Sequence, residues 1–276
     1  MEKNEIKNKV KEGYGRVAVE NRSCCGAMSS CCGSSASFQA IGEMIGYSKE
    51  DMSQVPEGAN LGLGCGNPVA LASLQEGQTV LDLGSGAGFD CFLAAKSVGE
   101  KGRVIGVDMT PEMVAKAREN AEKGGYQNVE FRLGDIENLP VPNGSVDVIL
   151  SNCVVNLSPE KPKVFAEAFR VLKSGGKLTL SDVVLLRPLP AVLTNSAAAY
   201  LGCVAGASLK SDYIGMLNEA GFADVQVVGE SPFYLGEAAA DPIVQTIIEE
   251  ARLTPEQVEE VGKSIVSIKL VASKAA

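Results

Sequence analysis

Eight cysteines and no histidine, in a chain of 276 residues, set the chemistry open to this protein. The cysteines fall as two adjacent pairs, Cys24-Cys25 and Cys31-Cys32, and as Cys65, Cys91, Cys153 and Cys203. Thiolates are the ligands of soft ions, so a set drawn from distant segments reads as a trap for a thiophilic centre. Without histidine, Ser-His-Asp and Cys-His catalysis are excluded, as is every zinc site that uses an imidazole. Any general base must be Asp, Glu, Lys, Tyr or Cys, or the reaction needs none.

The second group with chemistry is the glycine-rich turn of residues 80–90, VLDLGSGAGFD. Gly84, Gly86 and Gly88 lie between an apolar strand and a helix, where the backbone can turn tightly and a ligand can approach closely. The helix beyond the turn offers free N–H groups. Asp108 ends the next strand and can accept from both hydroxyls of a ribose. Gly134-Asp135 ends the strand after that, where an adenine could be contacted. A dinucleotide site would require G-x-G-x-x-G. Counted from Gly84 or Gly86, the third glycine position is Phe89 or Cys91, so the spacing departs from that pattern.

The elements that must position these groups follow from periodicity and punctuation. Helices are expected over residues 2–19, 38–46, Phe89–Val98, 162–173 (stopped by Gly175-Gly176), 210–221, 242–251 and 255–263. Two further starts are marked, by Ser48 as an N-cap and by Thr110 ahead of Pro111, the latter helix ending at Gly124-Gly125. Strands are expected at Thr79–Leu83, Arg103–Asp108, Val129–Leu133, 146–151, 177–184, 225–229 and 264–272. Residues 21–37 read as a loop, residues 55–68 as irregular, and residues 186–207 as a helical insertion crossing the sheet edge. Alternating strands and helices predict a parallel sheet covered on both faces, with right-handed connections.

Composition narrows the partners. A net charge of −9 with no basic cluster excludes nucleic acid as a natural partner. No apolar run approaches the roughly 20 residues that span a bilayer, and the charged N-terminus does not read as a secretory signal. The expected setting is a reducing cytoplasm, where cysteines serve metals or catalysis rather than disulfides.

The segments LDLGSGAGFD and VIGVDMTPEMVAKAREN resemble the cofactor region of class I S-adenosylmethionine-dependent methyltransferases. NLGLGCGNP, SNCVVNLSPEKP and LGCVAGA are similar to arsenite methyltransferases, and the resemblance runs from Gly13 to Gly221. It implies an α/β fold, a Rossmann-like doubly wound sheet of seven strands with the last antiparallel. It further implies three regions: 1–70 as an N-terminal Cys-rich segment, 71–185 as the S-adenosylmethionine-binding domain, and 186–276 as an α+β substrate-covering region with the terminal strands. The cofactor contacts it implies are Asp82, Gly84, Ser85, Gly86, Gly88, Asp108, Met109, Asp135, Ile136 and Asn152.

By the same resemblance, Cys65, Cys153 and Cys203 correspond to the ligands of trivalent arsenic, held as a trithiolate. A thiol of an N-terminal pair would assist capture, Cys31 or Cys32 being preferred and Cys24 and Cys25 kept open. Cys91, inside a helix, reads as a buried small hydrophobe. The substrates implied are arsenite and methylarsenite, with a glutathione- or thioredoxin-type thiol reductant and a thiol reductase as supporting partners, in a role of detoxification. The competing readings are a small-molecule C- or O-methyltransferase of quinone or sterol type, which has no use for the three cysteines, and a thiol-based metalloid- or zinc-binding protein, which has no use for the glycine turn.

Overall fold

A computed structural model describes residues 2–20, 35–194, 196–232, 248 and 253–276. Cys24, Cys25, Cys31 and Cys32, and most of the helix expected at 242–251, lie outside the described residues.

Among the described residues seven strands form a single sheet: β1 (Thr79–Leu83), β2 (Arg103–Asp108), β3 (Val129–Leu133), β4 (Val146–Asn152), β5 (Leu172–Leu185), β6 (Ala223–Pro232) and β7 (Ile265–Ser273). Their spatial order is β3-β2-β1-β4-β5-β7-β6. The pairs β1–β2, β1–β4, β2–β3 and β4–β5 are parallel, and β7 runs antiparallel to both β5 and β6. This is the doubly wound sheet the sequence led us to expect, with the reversed last strand. The strand order reverses between β1 and β4, and in open α/β sheets ligands bind beyond the carboxyl ends at such a switch point.

The helices are α1 (Lys3–Glu20), α2 (Ser35–Ile45), α3 (Lys49–Ser53), α4 (Pro68–Ala72), α5 (Phe89–Val98), α6 (Pro111–Gly124), α7 (Lys161–Val171), α8 (Ala191–Thr194), α9 (Ala197–Leu201), α10 (Lys210–Glu219) and α11 (Pro255–Gly262). Period-2 alternation sorts the strand residues between two faces. On one face Leu81, Leu83, Ile105 and Ile149 pack with Val164, Phe165 and Ala168 of α7 and Tyr213 and Leu217 of α10. On the other, Val80, Val104, Val148 and Leu150 pack with Cys91, Phe92 and Ala95 of α5 and Val114 and Ala117 of α6. Each fully buried large side chain there contributes about 1.5–3 kcal/mol, so the strand ends that carry the chemistry are rigidly held.

Several boundaries differ from expectation. Residues 35–37 open α2 instead of closing the preceding loop. α7 stops at Val171, and β5 begins at once because Leu172 is buried and pairs with Val146; the chain then bulges through Gly175 before rejoining at Lys177. Thr110 is the N-cap of α6, but its hydroxyl makes no capping bond and lies by Asp108 instead. The Ser48 start is correct, with a full capping box to Asp51. The expected strand at 225–229 extends over Ala223–Pro232. No helix of the described residues is long and apolar enough to cross a membrane.

Candidate active site

The carboxyl ends of β1, β2 and β4 open onto a cavity of about 320 Å³. Its floor is the glycine turn. Gly84 has a φ of +66°, and a β-carbon there would collide with the side chain of Val154, so both conformation and space demand glycine. The turn is pinned by Asp108, whose carboxylate accepts from the Gly86 N–H at 2.9 Å and the Thr110 N–H at 2.8 Å. Burial pushes the Asp108 carboxyl up from its usual value, and these two N–H donors oppose the shift.

Of the expected cofactor contacts, Asp82, Gly84, Ser85, Gly86, Asp108, Met109, Ile136 and Asn152 line the cavity. Gly88 does not; it is the N-cap of α5, with φ +96°. Asp135 is also off the wall and faces Lys7 of α1 at 3.6 Å. The Ser85 hydroxyl is buried and has no hydrogen-bond partner among the described residues, the signature of a polar atom awaiting a ligand.

Two buried carboxylates, Asp82 and Asp90, share the cavity wall. Burial raises both: Asp90 to about 6, and Asp82 further because Asp90 stands beside it. Asp82 receives the Cys91 thiol proton at 3.2 Å, so Cys91 is more than core filling: its S–H orients an acid of the site. Asp90 accepts from Tyr47 Oη at 2.5 Å and Asn152 Nδ2 at 3.2 Å. An acid pair of this kind, with no cationic side chain among its described partners, suits a ligand bearing positive charge. The orphaned Ser85 hydroxyl, the paired acids and the Asp108-pinned turn fit a sulfonium-bearing adenosyl ligand such as S-adenosylmethionine.

In the same cavity, three segments bring Cys65, Cys153 and Cys203 together. Cys65 lies on the loop between α3 and α4, Cys153 directly follows β4, and Cys203 follows α9. The Cys65 and Cys153 sulfurs and a carboxylate oxygen of Asp182 all lie within 4.8 Å of one another. That is the span one soft centre bridges with bonds of about 2.3 Å on each side, the zinc–thiolate length. The Cys203 thiol donates to the Cys153 carbonyl oxygen at 3.3 Å. The surrounding side chains are apolar: Val10, Leu157, Val183, Leu193, Ala199 and Val204. Burial pushes the Cys65 thiol above its usual range. Hydrogen bonds with Cys203 and Cys65, with burial added, push Cys153 well above. Cys65 and Cys153 are therefore held toward the neutral thiol before a ligand arrives.

The Cys65 loop is fastened from two sides. Its N–H donates to Asn152 Oδ1 at 3.0 Å, and its carbonyl accepts from Ser267 Oγ at 2.9 Å. Gly64 beside it has φ +112°, and a β-carbon there would lie 2.8 Å from Asn152 Nδ2. Within GLGCGNP, Gly64 is demanded by Asn152, Gly62 by Phe38 and Gly66 by Ser181.

Four residues of the site escaped the sequence reading: Tyr47, Asp90, Asp182 and Lys7. A carboxylate inside the apolar run LTLSDVVL was the available signal for Asp182. It accepts from Tyr213 Oη and Asn156 Nδ2 and is pushed up to about 6 by burial, with those donors opposing. Lys7 contacts Glu137 at 2.9 Å and, with Val10 and Tyr14, lays α1 across the cavity.

Residues 74–221 match the methyltransferase domain family. An arsenite methyltransferase from Halobacterium salinarum is 50% identical over 86% of this chain and 63% of its own length. One from Aquipseudomonas alcaligenes is 40% identical over 83% of this chain and 66% of its own length. The chain therefore spans just under two thirds of these curated relatives. The crystal structure of an arsenic(III) S-adenosylmethionine methyltransferase from Chlamydomonas reinhardtii superposes with a TM-score of 0.65 at 33% identity, covering 86% of this chain and 73% of that one. The chain belongs to the arsenite methyltransferase family, within the class I S-adenosylmethionine-dependent methyltransferases.

Proposed function

We propose that this protein transfers methyl groups from S-adenosylmethionine to trivalent arsenic held by Cys65, Cys153 and Cys203. The observation that carries the reading is the convergence of these three cysteines, from three segments, on the wall of the cavity that also carries the glycine turn and Asp108.

Arsenite binds by exchange. Each thiol replaces one hydroxyl of arsenic, the thiol proton leaving with that hydroxyl as water. Exchange of this kind starts from the thiol, the form toward which Cys65 and Cys153 are held, so capture needs no histidine base. The apolar shell around the sulfurs excludes competing water. When bound, S-adenosylmethionine supplies an electrophilic methyl group, which the arsenic lone pair can accept without loss of a proton. The contribution of this chain is placement: Asp108, Ser85 and the acids Asp82 and Asp90 hold the donor, while the three cysteines orient the acceptor. Such positioning is worth up to about 7–11 kcal/mol in well-aligned cases.

Methyl transfer oxidises arsenic from the trivalent to the pentavalent state. A second round therefore needs two electrons, supplied by a thiol reductant of glutathione or thioredoxin type that becomes a disulfide. A thiol reductase that renews this reductant is the partner the chemistry calls for. The setting that fits is a reducing cytoplasm and the role is detoxification. An N-terminal thiol, Cys31 or Cys32 before Cys24 or Cys25, would act as an additional entry ligand.

The test is to supply arsenite, thiol and methyl-labelled donor and to look for labelled methylarsenicals. A folded, donor-binding protein that forms none refutes the reading. Cys153→Ser is expected to abolish transfer while leaving donor affinity intact; retained transfer would remove Cys153 from the arsenic site.

A further inference from the structure

The donor-binding residues and the three cysteines line one cavity, and Asn152 links the buried acid Asp90 to the loop that carries Cys65. Asn152 Nδ2 lies 3.2 Å from Asp90 Oδ2, 3.0 Å from Tyr47 Oη and 2.8 Å from the Gly66 carbonyl oxygen, while its Oδ1 accepts from the Cys65 N–H at 3.0 Å. The orientation of this amide is fixed, because a flip would set its NH₂ against the Cys65 N–H. Tyr47 completes the frame: its hydroxyl receives from Asn152 and donates to Asp90 at 2.5 Å. Its ring stacks edge-on against Phe89 of the first turn of α5, with centroids 4.8 Å apart. Tyr47 is 3% exposed, so no water competes for these bonds.

We infer that Tyr47 is a positioning residue which, through the Asn152 amide, couples occupancy of the donor cavity to the placement of Cys65. The inference rests on the assignment of Cys65 as an arsenic ligand. Its physical basis is the state of Asp90. Alone, Asp90 is a buried acid beside another acid, and both are held toward neutrality. A cation in the cavity favours the ionised form, and a carboxylate is the stronger hydrogen-bond acceptor, by roughly twofold. The Tyr47 and Asn152 donors then tighten on Asp90. The loop bonded to the same amide, residues 64–66, is drawn into one position with its thiol facing Cys153. A capture site fixed before the ligand arrives loses less freedom on binding. By reciprocity a bound arsenical tightens the donor by the same factor.

The experiment uses the full chain and sinefungin, a donor analogue that carries a cationic amine and no transferable methyl. Arsenite affinity is measured by equilibrium dialysis with and without saturating sinefungin, and sinefungin affinity with and without arsenite. The expected result is mutual tightening of at least about fivefold, equal in both directions. Tyr47→Phe keeps the ring and removes one hydroxyl; it should bind both ligands with a smaller coupling factor, the direct Asn152–Asp90 bond at 3.2 Å remaining. If Tyr47→Phe does not fold, Asp90→Asn, which removes the charge that both Tyr47 and Asn152 answer to, must lower the coupling. Independent binding in the wild-type chain, or full coupling in the folded variant, overturns the inference and leaves the proposed function standing. A wild-type chain that binds sinefungin and no arsenite refutes the proposed function itself.

Discussion

Cys153 and Cys203 both hold left-handed backbones, φ +58° and +61°, and the Cys203 thiol donates to the Cys153 carbonyl oxygen at 3.3 Å. A side chain in this region costs about 1–2 kcal/mol per residue. Cys153 is kept there because its N–H continues the β4–β5 ladder to the Ser181 carbonyl at 2.8 Å. Cys203 is kept there by the turn that bonds its N–H to the Tyr200 carbonyl at 3.0 Å. The strain turns two sulfurs toward one point, and strain of this type clusters at functional sites.

Replacement of Cys153 separates strain from function. Glycine adopts a φ of +58° without penalty, and serine does not. Cys153→Gly should therefore be more stable than Cys153→Ser by about 1 kcal/mol, as read from urea unfolding. Neither variant should capture arsenite with native affinity, and both should bind the donor. A glycine variant less stable than the serine variant would remove the argument from strain.

Gly64→Ala tests the loop that carries Cys65. The new methyl must displace the Asn152 amide from 2.8 Å while adopting a φ of +112°. A stability loss of about 1–2 kcal/mol is expected from the backbone alone. Arsenite affinity should fall further than donor affinity, because the methyl pushes on the bonds that hold Cys65 and leaves Asp108 and the glycine turn untouched. Calorimetric titration with each ligand distinguishes this from uniform loss.

Asp90 and Asp182, each raised by burial from the usual carboxyl range to about 6, set a pH dependence. In the window between these values the folded chain holds protons that the unfolded chain has released, so stability falls as pH rises through it. The contribution is complete below about pH 4 and lost above about pH 6, and is worth up to about 3 kcal/mol per group. Asp182→Asn removes one of the two: its amide can donate to Tyr213 Oη, and its oxygen can still accept from Asn156. Unfolding free energies at pH 5 and pH 7.5 should therefore converge in this variant relative to the wild-type chain. An unchanged difference would mean that Asp182 is not held near neutrality in the folded protein.

How much of this was legible in the sequence depended on whether the determinant was local. The strands ending at Leu83, Asp108 and Leu133 and the helix Phe89–Val98 were read to the residue, because apolar runs and glycines mark them without reference to the rest of the chain. The α7–β5 junction was misread, since Gly175-Gly176 look like a helix stop and only the pairing of Leu172 with Val146 shows that the strand has already begun. Cys65, Cys153 and Cys203 stood out because unpaired cysteines are rare and their motifs distinctive. Tyr47 did not, because its role depends on Asn152 and Asp90, which lie 105 and 43 positions away. The same holds for Lys7, an ordinary lysine in a charged helix until α1 is laid across the cavity.

Lys7 also yields a contrast between two ion pairs of one helix. Lys3 meets Glu160 at 3.1 Å with 64% of its side chain exposed, and a pair of that kind contributes at most about 1 kcal/mol. Lys7 meets Glu137 at 2.9 Å, where the lysine side chain is 23% and the glutamate side chain 8% exposed, and Ser158 Oγ donates to the same carboxylate at 2.6 Å. Lys7→Met keeps the apolar stem over the cavity and leaves a nearly buried carboxylate with one donor fewer, a loss of about 1–3 kcal/mol when α1 is closed. Lys7, Val10 and Tyr14 of α1 line the cavity, so if α1 holds the donor in, release should quicken by about five- to 150-fold at that cost, with association little changed. Lys3→Ala should leave both rates near wild type. Stopped-flow measurement of sinefungin release from the two variants decides the matter: equal release rates would show that α1 does not latch the cavity through Glu137.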